Sequence, residues 1–126
     1  MYQRTVLIVE DEILIRMMLA DTLADEGYDV LEAANVLEAV AILGQREIDA
    51  VVTDVDMPGG LSGLDLARMI STTHMNVAVI IASGGHRLRP EELPGDSVFV
   101  PKPYGLDVIA ALVGEMTSRD EVRMTA

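Results

Sequence analysis

The segment Ala50-Val51-Val52-Thr53-Asp54-Val55-Asp56-Met57-Pro58 decides the fold. From Ala50 to Thr53 it is apolar or β-branched without alternation, the signature of a strand covered on both faces. At Asp54 the run gives way to carboxylates and then Pro58, so the strand ends there with a polar carboxyl end. A strand buried on both faces needs parallel neighbours joined through helices, and the flanking sequence supplies both. Thr5–Glu10, Asp29–Ala33, Val77–Ala82 and Ser97–Pro101 read as four further strands rich in Val, Ile and Leu.

The segments between them carry helical spacing. Ile15, Met18, Leu19, Thr22 and Leu23 share one face of a first helix that stops at Gly27. The second opens at Asn35, a good N-cap, and ends at Gly44, with Val36, Val40 and Leu43 on one side. A third spans about Ser62 to Thr73 and a last one about Tyr104 to Thr117. The connection Gly84 to Asp96 holds three glycines and two prolines, so it encodes at most a short helix opened by Pro90. Residues 118–126 are mostly polar and are expected to fray. Alternating strands and helices imply right-handed βαβ units. The expected fold is α/β: a flavodoxin-like, doubly wound, five-stranded parallel sheet in the order 2-1-3-4-5 with five flanking helices, the fourth short or irregular. Residues 1–117 form one domain and 118–126 a polar tail.

Composition narrows the function. With 126 residues the chain is one ordinary domain. Half of it is apolar and the mean hydropathy is +0.31, enough for a real core. The absence of cysteine excludes disulfides, thiolate metal sites and cysteine nucleophiles. A net charge of −12 repels nucleic-acid phosphates and anionic lipid, and four aromatic residues are too few for a base-stacking platform. No secretory signal or membrane-spanning run stands out, so a soluble, cytoplasmic chain is expected, as a monomer or weak homodimer. His74 and His86 lack metal-ligand spacing, and the methionines at 17, 18, 69 and 75 read as filler.

In open α/β sheets ligands bind beyond the carboxyl ends of the strands. Those ends carry Glu10-Asp11, then Asp54 with Asp56, then Ser83-Gly84-Gly85, then Lys102-Pro103. In the expected strand order they converge on one rim. Clustered carboxylates repel, by roughly 4 kcal/mol for two charges about 4 Å apart at an effective dielectric of 20, so the site calls for a cation. An all-oxygen site that leaves room for water suits Mg2+. Asp54 beside such an ion can attack a phosphoryl group and form an acyl phosphate. Lys102, the Ser83 hydroxyl and backbone N–H groups near Gly84 would hold the phosphoryl oxygens.

Over residues 4–117 the chain resembles the receiver domains of two-component response regulators, of the single-domain type that includes the chemotaxis regulators. The matching motifs are Glu10-Asp11, Asp54-Val55-Asp56-Met57-Pro58 with Gly63, Ser83, and Lys102-Pro103. Phe99, three residues before the lysine, matches the family's aromatic switch residue. The resemblance implies that Asp54 accepts phosphate from a histidine kinase or phosphotransfer protein. It further implies that Asp11, Asp54 and the Asp56 main-chain carbonyl ligate Mg2+, with Glu10 acting mainly through water. Ser83 and Phe99 would form the switch, and the backbone at Asp56 and Gly84 would hold phosphate. The family's turn also implies a cis Lys102–Pro103 peptide. Such a protein is a phosphoacceptor, at most self-catalysing its own phosphorylation and dephosphorylation, and Met1 close to the first strand fits a stand-alone regulator.

Three departures from the family pattern stand out. The loop from Met57 to Gly63 is one residue longer than usual, and Ser62 stands where aspartate is common. The span from Ser83 to Lys102 is short, and no effector domain is expected. If the first helix buries its expected face, Ile13, Leu14 and Met17 point outward beside the acidic rim, a patch that suits a docking partner. Two other readings compete. Haloacid-dehalogenase-type phosphatases also use a strand-end Asp-x-Asp with a lysine and Ser/Thr, but on the first strand and with a cap for which this chain has no length. An unphosphorylated pseudo-receiver would lack the acceptor, the acids or the lysine, and all are present here.

Overall fold

The apolar runs form β1 (Thr5–Val9), β2 (Asp29–Ala33), β3 (Ala50–Asp54), β4 (Ala78–Ser83) and β5 (Val98–Pro101). All pair in parallel in one sheet of order β2-β1-β3-β4-β5, as expected. Four helices connect and cover them: α1 (Ile13–Asp25), α2 (Val36–Leu43), α3 (Gly63–Thr73) and α4 (Leu106–Thr125). This computed structural model describes residues 3–74, 76–85 and 87–125, with the backbone alone for 119–125. Met75 and His86 lie outside the described residues.

Two cores account for the unalternating strands. On one face, Leu7, Val9, Val51 and Ile81 pack against Ala39 and Leu43 of α2 and Leu66 and Ile70 of α3. On the other, Val6, Ile8, Val52 and Ile80 pack against Leu19 and Leu23 of α1 and Ile109 and Val113 of α4. Each buried side chain of this size contributes about 1.5–3 kcal/mol relative to exposure, so both faces of β1 and β3 must stay apolar. That leaves only the strand ends for polar chemistry.

Local signals set the helix boundaries. Asn35 caps α2, its Oδ1 accepting the Glu38 N–H at 2.9 Å, and α1 stops before Gly27, whose φ of 97° an L side chain rarely adopts. Ser62 and Asp65 form a reciprocal capping box at the start of α3. The Ser62 backbone N–H holds the Asp65 carboxyl below its usual range, with help from the Ser62 hydroxyl and Arg68. Ser62 in place of the family's aspartate is thus the residue that starts the helix.

Several expectations need correction. Met18 is 54% exposed, because the stripe of α1 that faces the sheet is narrower than expected and runs through Ile15, Leu19, Thr22 and Leu23. Val40 is likewise on the outside of α2, and Ala39 takes the inward place beside Val36 and Leu43. Four α-helices occur among the described residues, and the fourth connection is short and irregular, as expected. The fourth connection forms only the 3-10 turn Pro90–Glu92, where proline opens a turn that no apolar stripe extends. The last helix runs beyond Thr117 to Thr125, since no glycine or proline interrupts it there. No described helix is long and apolar enough to cross a membrane.

Candidate functional site

The β1 strand ends at Val9, one residue short of expectation, but the ladder continues for one more bond. The Glu10 N–H donates to the Ala33 carbonyl at 3.0 Å, and the Glu10 side chain folds under the rim, 3% exposed. Asp11 follows it on the surface. Asp54 closes β3 in register with Ala82 of β4, and the next N–H, of Val55, bonds the Ala82 carbonyl at 3.0 Å. Ser83 ends β4, buried, its Oγ accepting the Gly85 N–H at 3.2 Å. Lys102 follows β5, its N–H donating to the Ser83 carbonyl at 3.0 Å, and the Lys102–Pro103 peptide is cis, as expected.

These elements bring Lys102 Nζ to 3.1 Å from Asp54 Oδ2, a charge-assisted hydrogen bond, and to 3.6 Å from Glu10 Oε1. Carboxylate oxygens of Glu10, Asp11 and Asp54 lie within 4.8 Å of one another. Burial pushes the Glu10 carboxyl up to about 7; the Asp54 and Asp11 charges add to this and Lys102 opposes it. Burial pulls the Lys102 ammonium down, but the hydrogen bond and charge of Asp54 and the charge of Glu10 outweigh it and hold it above its usual range. The donor set is all oxygen and in excess of positive charge, and Glu10 Oε1 is buried with no hydrogen-bond partner among the described residues. A hard divalent cation such as Mg2+ fits that set on chemistry and charge.

The chain before α3 is pressed onto the end of β3 at Asp54. The Gly63 N–H donates to the Val55 carbonyl at 2.9 Å, and a Cβ on Gly63 would stand 1.9 Å from the Asp54 carbonyl oxygen. Only glycine permits that approach. The extra length of the preceding loop is absorbed by Gly59 and Gly60, both at positive φ (96° and 86°). Asp56 is exposed and faces the β4 turn: a Cβ on Gly85 would lie 3.7 Å from Asp56 Oδ2. A Cβ on Gly84 would lie 3.5 Å from that of Lys102. Phe99 pairs with Ile81 and is half-buried against the core shared with Leu88 and Leu93. Ile13, Leu14 and Met17 are exposed as expected, and Met18 joins them. His74 caps the far end of α3, at the rim opposite the carboxylates.

A model of the family described as "Response regulator receiver domain" matches residues 6–113. The chain is a response regulator receiver domain.

Among curated relatives, this receiver is 38% identical over 122 residues to the sensor kinase CckA of Brucella abortus and spans 13% of that protein. It is 36% identical to the transcriptional regulatory protein PdtaR of Mycobacterium tuberculosis, covering 86% of this chain and 55% of PdtaR. It is 31% identical to sporulation initiation phosphotransferase F of Bacillus subtilis, covering 86% of this chain and 90% of that one. A receiver domain structure from Clostridium thermocellum superimposes with a TM-score of 0.84 at 26% identity, over 94% of this chain and 98% of the other.

Sequence reasoning missed two side chains at this site. Tyr104 is half-buried in the α1/α4-side core, within reach of the charges of the pocket. Its burial raises the phenol above its usual value, with the charges of Glu10, Asp54 and Glu12 adding and Lys102 opposing. Its place two residues after Lys102 on the same rim was the available signal. Arg16 holds the β1–α1 turn, and no motif marked it.

Proposed function

We propose that this receiver takes a phosphoryl group onto Asp54 from the phosphohistidine of a histidine kinase or phosphotransfer protein. The observation that carries this reading is Lys102 Nζ at 3.1 Å from Asp54 Oδ2, inside a rim of three converging carboxylates. An Asp54 oxygen attacks phosphorus as the P–N bond to the histidine ring breaks, and the bonding pair leaves with the ring nitrogen. The product is an acyl phosphate. The Lys102 ammonium passes from the Asp54 carboxylate to a phosphoryl oxygen, and the Ser83 hydroxyl and backbone N–H groups at Asp56 and Gly84 donate to the others. Glu10, Asp11, Asp54 and the Asp56 carbonyl would hold Mg2+, which supplies neutralisation of the carboxylates and of the incoming phosphoryl oxygens.

Drawing Ser83 toward the phosphoryl group opens space that Phe99, on the neighbouring strand, fills; these two residues make the switch. Ile13, Leu14 and Met17 dock the partner's histidine-bearing helices. The protein acts as a phosphoacceptor in the cytoplasm. The test is intact mass after incubation with acetyl phosphate and Mg2+. One phosphoryl group is expected on the wild type, and none on Asp54→Ala or in EDTA. Label that survives Asp54→Ala overturns the assignment.

A further inference from the structure

The carboxylates of the pocket repel one another, yet the turn that carries two of them is held in place by something other than the carboxylates themselves. Glu10 Oε1 has no hydrogen bond among the described residues, and its charge partner, the Lys102 ammonium, stands 3.6 Å away. The anchoring comes through the main chain. On one side the Glu10 N–H donates to the Ala33 carbonyl of β2 at 3.0 Å. On the other, Arg16 Nη1 donates to the Glu10 carbonyl at 2.8 Å. The same guanidinium donates through Nε to Glu32 Oε1 at 3.1 Å, and its side chain is only 19% exposed. Arg16 therefore ties α1, the β1–α1 turn and the end of β2 together at the point where the metal-binding acids leave the sheet.

We infer that Arg16 is a positioning residue for the Mg2+ site, holding Glu10 and Asp11 in ligating geometry through its fork to the Glu10 carbonyl and to Glu32. This rests on the phosphoacceptor reading of the same pocket and adds a residue to it. The planar guanidinium suits the task because its donors are fixed relative to one another, so one side chain spans two acceptors with little entropy lost. Lysine offers one point charge and cannot bridge both. Without the fork, repulsion spreads the acids in the metal-free protein, and the ligating arrangement becomes a minor population. The apparent metal affinity falls by that fraction. Groups that orient ligands from behind in this way are worth about 10–100-fold in metal affinity.

The experiment is calorimetric titration of Mg2+ into the wild type, Arg16→Gln, Arg16→Lys, Glu32→Gln and the Arg16→Gln/Glu32→Gln double variant. Thermal unfolding in EDTA serves as the fold check. Arg16→Gln is expected to weaken Mg2+ about 10-fold or more and Arg16→Lys less, with Glu32→Gln weaker still in effect. The double variant should match Arg16→Gln alone, because Glu32 acts only through Arg16. In labelling by acetyl phosphate, the loss should appear in the Mg2+ concentration for half-maximal rate, and the rate at saturating Mg2+ should return to the wild-type value. A general structural defect would lower that maximal rate instead. Should Arg16→Gln fail to fold, Arg16→Lys alone decides the question. Wild-type Mg2+ affinity in the folded arginine variants, or a loss confined to the maximal rate, overturns the inference. A wild type that takes no label on Asp54 overturns the phosphoacceptor reading and leaves the Mg2+ titration standing on its own.

Discussion

Glu10 is held under the rim with its carboxyl pushed up to about 7 by burial first and by its acidic neighbours second. Between about pH 4.5 and 7 the folded protein therefore keeps a proton that the unfolded chain releases. The contribution of Glu10 to the stability of the metal-free protein is full below that window and is lost as pH rises through it, by on the order of 3 kcal/mol. Glu10→Gln is expected to flatten this fall, making the variant more stable than the wild type at pH 8 in EDTA while Mg2+ stabilises it less. Denaturant titrations at pH 5 and pH 8 check this, and an unchanged slope would count against it. Gly63 is a second single-residue test. Its missing Cβ would meet the Asp54 carbonyl oxygen at 1.9 Å and carbon at 2.8 Å, and backbone cannot yield as a side chain can. Gly63→Ala should cost about 2 kcal/mol or more and slow labelling of Asp54. Gly44→Ala, where a Cβ meets only ordinary contacts at 3.6 Å, should stay within about 0.5 kcal/mol of wild type.

At the scale of elements, the connection between β4 and β5 departs most from regular structure. Among its described residues it contains one 3-10 turn, and Leu88 and Leu93 alone reach the core. The ion pairs of Arg89 with Glu91 and Glu92 are exposed and contribute little. Amides of residues 87–96 should exchange far faster than those around Leu19 and Leu23 of α1, which are fully packed. Native-state hydrogen exchange decides this, and equal protection in the two segments would refute it. Phe99, Leu88 and Leu93 pack against the same core cluster, so under the proposed switch role a change at Phe99 would bear on the core that anchors this connection.

For the whole molecule, charge and exposed apolar surface act together. Ile13, Leu14, Met17 and Met18 stand beside an acidic rim on a chain of net charge −12. In the proposed docking, the apolar patch would supply affinity and the acidic field would steer and orient the partner. Ile13→Ser with Met17→Ser should slow phosphotransfer from the cognate protein about 10-fold or more. Labelling by acetyl phosphate, which needs no docking, should hardly change. If both reactions fall together, the substitutions have damaged the pocket and the docking role is wrong.

The sequence alone determined the strands, their parallel class and which of them end in carboxylates or lysine. Their order came from likeness to known doubly wound sheets and was settled by the pairing itself. Unalternating apolar runs can only be strands covered twice, and carboxylates or lysine at their ends have only the rim to occupy. The sequence also determined the cap at Asn35, because capping is a contact between near neighbours, whereas the capping box at Ser62 emerged only in the structure. What only the tertiary structure decided depends on how the elements pack together. Helical spacing put Met18 and Val40 inward, but the width of the buried stripe is set by the sheet and helices packed against it. The 3.1 Å approach of Lys102 to Asp54 joins groups 48 residues apart. The pressure of Gly63 on the Asp54 backbone and the hold of Arg16 on Glu10, though nearer in the chain, depend on how strand, loop and helix pack. Local preference fixes which residues form an element, and three-dimensional packing fixes which atoms meet.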